Sequence, residues 1–341
     1  MQEQNLSTIC NIAYVDKNGN SHINASSKPS NIDAIPYPLW DAFPMESYAL
    51  STIGINQSNN SRGMQLISSR GCINKCTFCH RIGKGERFRK VFNVVSEMKY
   101  LYDFYNVTYF TFLDELLIVS LDRLKEFARC LELFDLLGKI KFNAGGIRSN
   151  VVTDEIASLF EHIGCQYMTI GFESMSEDVL KKMRKNVTPE DNIRCLEILR
   201  KHKIHVGINF IWGMPGDTEK TLRQNADTLK KYNTYGELRT IRPVTPYPGS
   251  ELFTIAVEQG MLLGPDDFFN KFNNSDLISV NFIDLPIEKM YECLFEINSE
   301  LIIDHHEHIG GNPEEDIKHL YDLYFNDFTS FRGFRKYERK E

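Results

Sequence analysis

The chain has 341 residues, with 39 Lys or Arg against 46 Asp or Glu, so its formal net charge is −7. A hydrophobic fraction of 42% excludes a disordered chain and is sufficient to bury a core. The acidic excess argues against sequence-independent binding along nucleic acid, because that affinity depends on many cationic contacts with phosphates. The sequence lacks an apolar run of membrane-spanning length and a signal-peptide pattern at its start. We therefore expect a cytoplasmic protein without a membrane partner.

The first part of the chain, residues 1–62, is rich in turn-forming residues and predicts a loosely structured lead-in. Within it, the DKNGN stretch at 16–20 predicts a turn that joins the two strands of a hairpin.

From Met64 onward, short β-like runs alternate with helical patterns, which is typical of a parallel sheet covered by helices. The predicted strands are 64–68, 107–113, 139–145, 166–172, 205–212 and 238–244. The predicted helices are 91–105, 121–138, 153–163, 176–184, 189–202 and 218–232, and we expect Gly138 to end the second of them. Because six units are two short of a complete eight-unit barrel, the sheet is either an open barrel or doubly wound.

After Gly249 the alternation fades, and apolar residues from Ile287 to Leu301 predict one further amphipathic helix. The tail from residue 313 also looks helical. We therefore expect a lead-in at 1–62, a barrel at 63–255 and a mostly helical cap at 256–341.

The most informative segment is a C-x-x-x-C-x-x-C motif formed by Cys72, Cys76 and Cys79, directly after the first predicted strand. Three thiolates on one loop can bind a metal centre. A structural zinc site usually takes four protein ligands, and the only nearby candidate, His80, is awkwardly adjacent to Cys79. A cubane iron–sulfur cluster held by three cysteines keeps one iron free for a substrate or cofactor. Buried thiols, or zinc with a ligand from a distant part of the chain, are the alternatives.

Two other groups of possible ligands are expected to be structural. The remaining cysteines lack mutual C-x-x-C spacing and are interpreted as core thiols: Cys10, Cys130, Cys165, Cys195 and Cys293. The DHHEH run at 304–308 could bind a second metal, but histidines at the end of a helix stopped by Gly310 and Gly311 also suit the negative end of the helix dipole. We favour the second interpretation.

The stretch SRGCINKCTFCH at 69–80 resembles the signature of the radical S-adenosylmethionine (SAM) superfamily, including the aromatic Phe78 before the third cysteine. The resemblance implies an α/β fold built as a partial (βα)6 TIM-like barrel. It also implies that the three cysteines hold a [4Fe–4S] cluster whose free iron binds SAM. In that superfamily, reductive cleavage of SAM releases a 5′-deoxyadenosyl radical that abstracts hydrogen from the substrate.

Within the superfamily, the chain resembles the radical domain of the cobalamin-binding class, over residues from about 10 to 260. Matching stretches lie at 32–44, 69–79, 112–117, 145–150, 170–185, 210–217 and 245–253. The sequence departs from that class because it shows no Rossmann-like unit with a D-x-H-x-x-G motif. Cobalamin is therefore a doubtful cofactor, and the chain is a truncation, half of a split enzyme or a cobalamin-free descendant.

The resemblance implies cofactor contacts at the ends of the second and fourth strands. Asp114 and Glu115 would meet the methionine amino group, Glu115 being favoured, with a helix N-cap as the alternative for Asp114. Glu173 and Ser174 would reach the ribose hydroxyls or the methionine part. Their alternative role is to cap the helix that begins at Ser176.

The resemblance also implies roles for three further segments at strand ends. Arg148 would clamp the methionine carboxylate or a substrate anion, or form a surface ion pair instead. Gly213, Pro215 and Gly216 would line the adenine site, with a simple tight turn as the alternative. The residues at 247–249 would border the substrate mouth. A basic stretch is either a solvated face or a lip for an anionic substrate: His80, Arg81, Lys84, Arg87, Arg89 and Lys90.

The sequence thus predicts an oxygen-sensitive radical SAM enzyme that modifies an unactivated carbon of a small-molecule substrate. Radical methyl transfer, alone or as half of a split cobalamin enzyme, is the alternative reaction. A zinc- or cluster-bearing binding module is the alternative of another class. The implied partners are an electron donor such as flavodoxin or ferredoxin and, for a split enzyme, a separate cobalamin-binding protein.

Overall fold

The computed structural model describes residues 6–27, 31–50, 62–81, 85–117, 120–202 and 204–326. The strands in chain order are β1 (Ala13–Val15), β2 (Ser21–Ile23), β3 (Arg62–Leu66), β4 (Ser69–Arg70), β5 (Arg87–Phe88), β6 (Val107–Phe112), β7 (Lys141–Ile147), β8 (Cys165–Glu173), β9 (His205–Trp212) and β10 (Arg242–Pro243). The helices are α1 (Met45–Leu50), α2 (Val91–Tyr105), α3 (Leu121–Leu133), α4 (Asp154–His162), α5 (Glu177–Lys182), α6 (Pro189–Lys201), α7 (Glu219–Tyr232), α8 (Glu251–Glu258), α9 (Pro265–Lys271), α10 (Ile287–Ile309) and α11 (Glu314–Tyr321). A π-helical turn, Asp322–Asn326, follows α11.

Six strands form one parallel sheet in the order β10-β9-β8-β7-β6-β3. The sheet curls into a half-barrel, so the partial (βα)6 barrel is confirmed and the doubly wound alternative is wrong. Side chains alternate between the two faces of each strand. Phe112 and Phe142, which face the helices, meet edge to face with their ring centroids 5.7 Å apart. The main core therefore lies between the outer face of the sheet and the surrounding helices.

Short polar side chains start the helices where the sequence predicts them. Ser120, Thr153, Thr188 and Thr218 each accept a hydrogen bond from a backbone N–H in the first turn of α3, α4, α6 and α7, respectively. These caps satisfy donors that a helix cannot pair internally. The predicted helix positions are confirmed, most closely for α2.

The predicted C-terminal end of α3 is wrong. The helix ends at Leu133 rather than at Gly138, because the backbone N–H groups of Leu136 and Leu137 both turn back to the carbonyl of Leu131. This turn buries Leu136 completely. Packing of that side chain therefore outweighs continuation of the helix.

The sixth strand is also shorter than predicted, because only Arg242 and Pro243 pair with β9. At the preceding residue, Asn298 of α10 takes both backbone groups of Ile241. Its side-chain oxygen accepts from Ile241 N at 2.8 Å, and its amide nitrogen donates to Ile241 O at 2.9 Å. The long C-terminal helix thus replaces a strand partner at this edge of the sheet.

The lead-in is more firmly attached than predicted. The β1–β2 hairpin and its turn are confirmed, with Asp16 accepting from the backbone of Asn18 and Asn20 at 2.9 Å. Further along, Asp33 accepts from Lys90 N at 3.0 Å, and Trp40 Nε1 donates to Glu97 at 3.2 Å. Residues 31–49 therefore pack along α2 instead of forming a loose linker.

The C-terminal region is helical, as predicted up to the end of the described residues. Helix α10 packs against α7 and α11, and Glu300 accepts from Arg223 at 2.7 Å and from Lys230 at 2.6 Å. Helix α8 runs across position 255, where we expect the barrel to give way to the cap. Within the described part of the chain, no helix has the length and apolar character needed to cross a bilayer.

Candidate functional site

The three motif cysteines lie on a hairpin at the carboxyl end of the half-barrel. Its stem is the antiparallel pair β4 and β5, and we call residues 69–81 and 85–88 the cysteine hairpin. Gly71 makes the stem possible, since it has a φ of +87° and a Cβ placed there would lie 2.1 Å from the carbonyl oxygen of Gly85. The loop leaves the end of β3, the first strand of the sheet, as the sequence predicts.

Backbone hydrogen bonds attach the tip of the cysteine hairpin to the end of α5 and the start of α8. Thr77 N donates to the carbonyl of Met183 at 3.0 Å, and Leu252 N donates to the carbonyl of Thr77 at 2.9 Å. His80 Nδ1 lies 2.9 Å from the carbonyl oxygen of Pro248. The loop is thus held through its main chain and His80, which leaves the sulfur atoms available for other chemistry.

The sulfur atoms of Cys76 and Cys79 lie within hydrogen-bonding contact of each other. This contact lowers the pKa of Cys76 to about 6, against the effect of burial and helped by the positive charges of Lys185 and Arg148. The same contact, together with burial, raises the pKa of Cys79. Cys72 is half-buried, and its sulfur accepts from Asn74 Nδ2 at 3.3 Å.

In the part of the chain that the structure describes, no three His, Cys, Asp or Glu side chains converge closely enough to hold a single metal ion. A cubane cluster does not require such convergence, because each thiolate binds a different iron. Three cysteines on one loop, with the positive charges of Lys185 and Arg148 nearby, match the chemistry of that group. Cys10, by contrast, is exposed, so the prediction of a core thiol is wrong there and confirmed for the other four.

Asp114 is buried beneath the cysteine hairpin. Its carboxylate accepts from Ser68 N at 3.0 Å, from Ser68 Oγ at 2.8 Å and from Ser69 Oγ at 2.5 Å. Burial raises the pKa of Asp114, although these hydrogen bonds oppose the shift. The N-cap alternative is wrong, because Ser120 caps α3. Asp114 instead fixes the point where the chain leaves β3 for the cysteine hairpin.

Glu115 is exposed beside Asp114, in the loop that follows β6. Two glycines of β7 allow this loop to approach closely: a Cβ on Gly146 would lie 2.3 Å from the carbonyl oxygen of Asp114, and one on Gly145 would lie 3.2 Å from that of Phe112. The side chain of Glu115 is thus exposed to solvent, whereas that of Asp114 is bound to the start of the hairpin.

Glu173 ends β8 and forms a buried ion pair with Lys185, in which Nζ and Oε1 lie 2.8 Å apart. Its backbone has a φ of +65°, which is unusual for a residue other than glycine. Its carboxylate lies back over Gly171, where a Cβ would be only 2.1 Å from Oε1. Strain of this kind is typical of functional sites.

Lys185 is the functional candidate that the sequence analysis missed. Its ammonium lies 5.9 Å from the ring centroid of Phe78, a residue between the second and third cysteines of the motif. Burial lowers its pKa, but the charge and hydrogen bond of Glu173 outweigh that effect, so the net shift is upward. Lys185 therefore stays protonated beside the thiols. The basic cluster KKMRK at 181–185 was the available signal.

Ser174 and Arg148 support this part of the site from behind. Ser174 is fully buried, and its hydroxyl accepts from Ser176 N at 3.1 Å, whereas Ser176 itself caps α5. Arg148 donates to the carbonyls of Lys185 and, at 3.1 Å, Asn186. Arg148 thus holds the loop that carries Lys185. Its guanidinium binds these backbone carbonyls instead of forming the surface ion pair that was the alternative.

The loop after β9 contains Gly213, Pro215 and Gly216, and both glycines have positive φ, +99° and +95°. Asp217 closes this turn by accepting from the backbone of Gly213 at 3.1 Å and Met214 at 3.0 Å. Burial raises the pKa of Asp217 to about 6. The tight-turn interpretation accounts for these residues, and the loop lies at the same edge of the sheet as the cysteine hairpin.

The residues at 247–249 also reach the site, since Pro248 contacts His80 and a Cβ on Gly249 would lie 2.8 Å from its ring. The residues of the basic stretch at 80–90 do not share one environment. Arg89 forms an ion pair at 2.7 Å with the buried Glu97, whereas Lys84 lies outside the described residues.

The histidine run at 304–308 makes packing contacts with α11 and with the loop that follows α7. His306 Nε2 lies 2.8 Å from Asp316 of α11, and the ring of His308 stacks on Tyr235 at 3.7 Å between centroids. Tyr235 donates in turn to Asp304 at 3.2 Å. Helix α10 ends at Ile309 before Gly310, as predicted.

Comparisons with known proteins agree with this arrangement. Residues 66–229 match the family model described as the radical SAM superfamily. An uncharacterised methyltransferase of Pyrococcus horikoshii is 26% identical over 86% of this chain and 63% of its own length. The bacteriochlorophyllide d C-12(1)-methyltransferase of Chlorobaculum tepidum is 30% identical over 57% of this chain and 42% of its own length.

A solved structure of OxsB, described as a cobalamin-dependent SAM radical enzyme, is similar with a TM-score of 0.64 and 18% identity. The alignment covers 94% of this chain and 53% of OxsB. The chain spans about half the length of the relatives it matches. Residues 66–229, which contain the cysteine hairpin and most of the half-barrel, belong to the radical SAM superfamily, whose cofactors are a [4Fe–4S] cluster and SAM.

Proposed function

We propose that the chain is a radical SAM enzyme in which Cys72, Cys76 and Cys79 hold the cluster. The observation that carries this proposal is the packing of the cysteine hairpin against Met183 and Leu252, which brings its thiols beside the Lys185–Glu173 pair. When bound, the cluster and SAM would supply a 5′-deoxyadenosyl radical that abstracts hydrogen from an unactivated carbon. The substrate would be a small molecule admitted at the mouth of the half-barrel.

The chain's own residues have distinct roles in this proposal. Lys185 and Arg148 place positive charge near Cys76, which lowers the pKa of its thiol. The exposed Glu115 after β6 and Glu173 beside Lys185 would offer carboxylates to the amino and hydroxyl groups of SAM. Asp114 acts as a positioning residue, because it holds the start of the hairpin rather than a ligand.

The remaining contacts are assigned to the aromatic and glycine-rich parts of the mouth. Phe78 would pack against the cofactor next to Lys185, and Ser174 would support the strand end behind it. Gly213 and Pro215 would border the adenine. We further propose the division into a lead-in at 1–62, a barrel at 63–255 and a cap at 256–341.

Anaerobic reconstitution tests the ligand assignment. The wild-type chain should bind about four irons and four sulfides, and Cys76→Ala should lose most of both. Cys10→Ala is the matched control, because Cys10 is exposed and lies outside the hairpin. Stoichiometric zinc instead of iron in the wild-type protein, or full iron in Cys76→Ala, would contradict the proposal.

Radical methyl transfer is the second candidate, because two of the relatives are named methyltransferases. Incubation of the reduced holoprotein with SAM separates the two reactions. Deoxyadenosine alone would indicate hydrogen abstraction, whereas S-adenosylhomocysteine beside it would indicate methyl transfer. Adding cobalamin, or a separate cobalamin-binding protein, tests whether the second product depends on it.

Two further elements of the proposal concern the setting of the reaction. An electron donor such as flavodoxin or ferredoxin would reduce the cluster, and the enzyme would work in the cytoplasm. Fractionation of the native host, followed by detection of the chain in the cytoplasmic fraction, checks the second point.

A further inference from the structure

The inner face of the half-barrel is the side turned away from the surrounding helices. On β9, Phe210 and Trp212 are buried in the main core between the sheet and the helices, so Asn209 and Ile211, which alternate with them, lie on the inner face. Arg242 of β10 is the parallel partner of Ile211 and therefore shares this face. The last strand thus turns a guanidinium group toward the interior of the half-barrel.

A second arginine, Arg239, contacts the same face but is engaged with protein groups. Its Nη1 donates to Asn209 at 2.7 Å, and its guanidinium forms an ion pair with Glu237. The guanidinium also lies 5.8 Å from the ring centroid of Tyr167, and only 9% of the residue is exposed. These contacts give Arg239 a structural role.

Arg242 has a different environment. Its side chain is 38% exposed, and its Nε lies 2.8 Å from Oδ1 of Asp276, whose side chain is only 7% exposed. Within the part of the chain that the structure describes, neither terminal nitrogen of Arg242 has a hydrogen-bond partner. A guanidinium carries five N–H groups in a rigid planar fork. Asp276 thus orients this fork at one edge, and the two terminal nitrogens remain available.

A small apolar cluster lies between the surroundings of Arg242 and the cysteine hairpin. Val244 and Leu252 are members of this cluster, and Ile211 and Phe78 pack against it. Phe78 is a residue of the hairpin, and Ile211 is the strand partner of Arg242. One cluster therefore links the strand next to Arg242 with the loop that carries the thiols.

We propose that Arg242 anchors the substrate, and that the substrate carries a carboxylate or phosphate group. Nη1 and Nη2 would donate two parallel hydrogen bonds to two oxygens of that group, which is a strong arrangement for a guanidinium. The buried Asp276 fixes the guanidinium beforehand, so little side-chain freedom is lost on binding. This inference rests on the proposed function, because it names the chemical class of the molecule from which hydrogen would be abstracted.

The test measures anion binding by reconstituted holoprotein. Inorganic phosphate and acetate are the probes, and binding is followed by the rise in unfolding temperature at constant ionic strength. The probe that matches the substrate's group should give a saturable rise in the wild type, and Arg242→Gln should bind it about tenfold more weakly. Equal affinity in Arg242→Gln and wild type, or no saturable binding of either probe, would overturn the proposal.

Arg194→Gln is the matched control. Arg194 is an exposed arginine that also pairs with an aspartate, since its Nη2 lies 2.7 Å from Asp191. The variant makes the same change of charge on α6, so its affinity for the probe should equal that of the wild type. A loss equal to that of Arg242→Gln would mean that the probe responds to net charge alone, which would also overturn the proposal.

A second variant tests the same site in the opposite direction. Asp276→Asn keeps the guanidinium and removes the negative charge beside it, so it should bind the anion about threefold more tightly than wild type. A purely structural ion pair would give no such gain. Weaker or unchanged binding by Asp276→Asn would therefore contradict the proposal even if Arg242→Gln does not fold. Arg242→Lys keeps the charge but loses the fork, and its affinity should lie between those of wild type and Arg242→Gln.

Two readouts separate this inference from the proposed function. If the wild type binds the probe through Arg242 but does not cleave SAM with dithionite, the proposed function is wrong. If it cleaves SAM but Arg242→Gln binds the probe equally well, only the anchor is wrong. Binding of the probe should also persist at saturating SAM. Its loss there would mean that Arg242 holds the carboxylate of SAM, and the assignment to the substrate would be overturned.

Discussion

The cysteine hairpin and the histidine run at 304–308 both concentrate side chains that bind metals, but the two regions hold themselves together differently. The tip of the hairpin is fixed by the main chain of Thr77 and by His80, so its attachment to the neighbouring elements does not depend on the thiols. In the histidine run, His306 and His308 are themselves the contacts to Asp316 and Tyr235. The number of possible ligands is therefore a poorer predictor of a metal site than the structural contacts that those side chains already make.

The largest expected effect tests the support of the hairpin. Asp114→Ala leaves Ser68 N and the hydroxyls of Ser68 and Ser69 without their buried acceptor. We expect a loss of about 4 kcal/mol in the free energy of unfolding, measured by urea denaturation, and reduced iron after reconstitution. Asp114→Asn, which keeps a carbonyl oxygen, should lose less. Equal stability of Asp114→Ala and wild type would show that the hairpin does not depend on this anchor.

The next effect concerns the stem. Gly71→Ala combines a positive φ with a Cβ 2.1 Å from the Gly85 oxygen, whereas Gly138→Ala has a similar φ of +77° and open space around it. Gly138→Ala should cost about 1 to 2 kcal/mol from backbone strain alone, and Gly71→Ala about 3 to 4 kcal/mol. Only Gly71→Ala should also lower iron content. Similar losses in both variants would mean that the stem yields without strain.

A smaller effect depends on pH. Asp217 has a pKa raised from 3.8 to about 6 by burial, so the folded protein binds its proton more tightly than the unfolded chain does. The contribution of Asp217 is most favourable below pH 4 and is lost as the pH rises through 6. Asp217→Asn should therefore gain about 2 to 3 kcal/mol relative to wild type between pH 4 and 7.

The control for this prediction is Asp267→Asn, followed by the same denaturation series. A hydrogen bond from Leu263 N, together with Lys271, lowers the pKa of Asp267, so its variant should change in the opposite direction. Parallel pH profiles for Asp217→Asn and wild type would mean that this carboxyl titrates normally in the folded protein.

The smallest effect is expected in the histidine run. His306→Ala removes a partly exposed contact between α10 and α11, which should cost less than about 1 kcal/mol. Iron per chain after reconstitution should match wild type. A fall in iron would indicate that the run contributes to a metal site after all.

The sequence predicts those parts of the fold that local pattern determines. The strand at 205–212 and the helix at 91–105 are confirmed residue for residue, because apolar periodicity and turn residues mark both ends. The shortened sixth strand could not be predicted, since Asn298 reaches Ile241 from 57 residues away. Lys185 was missed for a related reason. Four of the five residues at 181–185 are basic, and which one turns inward depends on the end of α5 and its pairing with Glu173.

The two hydrogen bonds between Asn298 and Ile241 tie the edge of the half-barrel to the C-terminal helix α10. The outermost strand has only two paired residues, and its unpaired backbone next to them is closed by a side chain from the cap. A fragment that stops before α10 would leave the backbone at this sheet edge unpaired, and an unpaired edge can pair with another chain. We therefore expect a fragment of the half-barrel without α10 to self-associate through this edge.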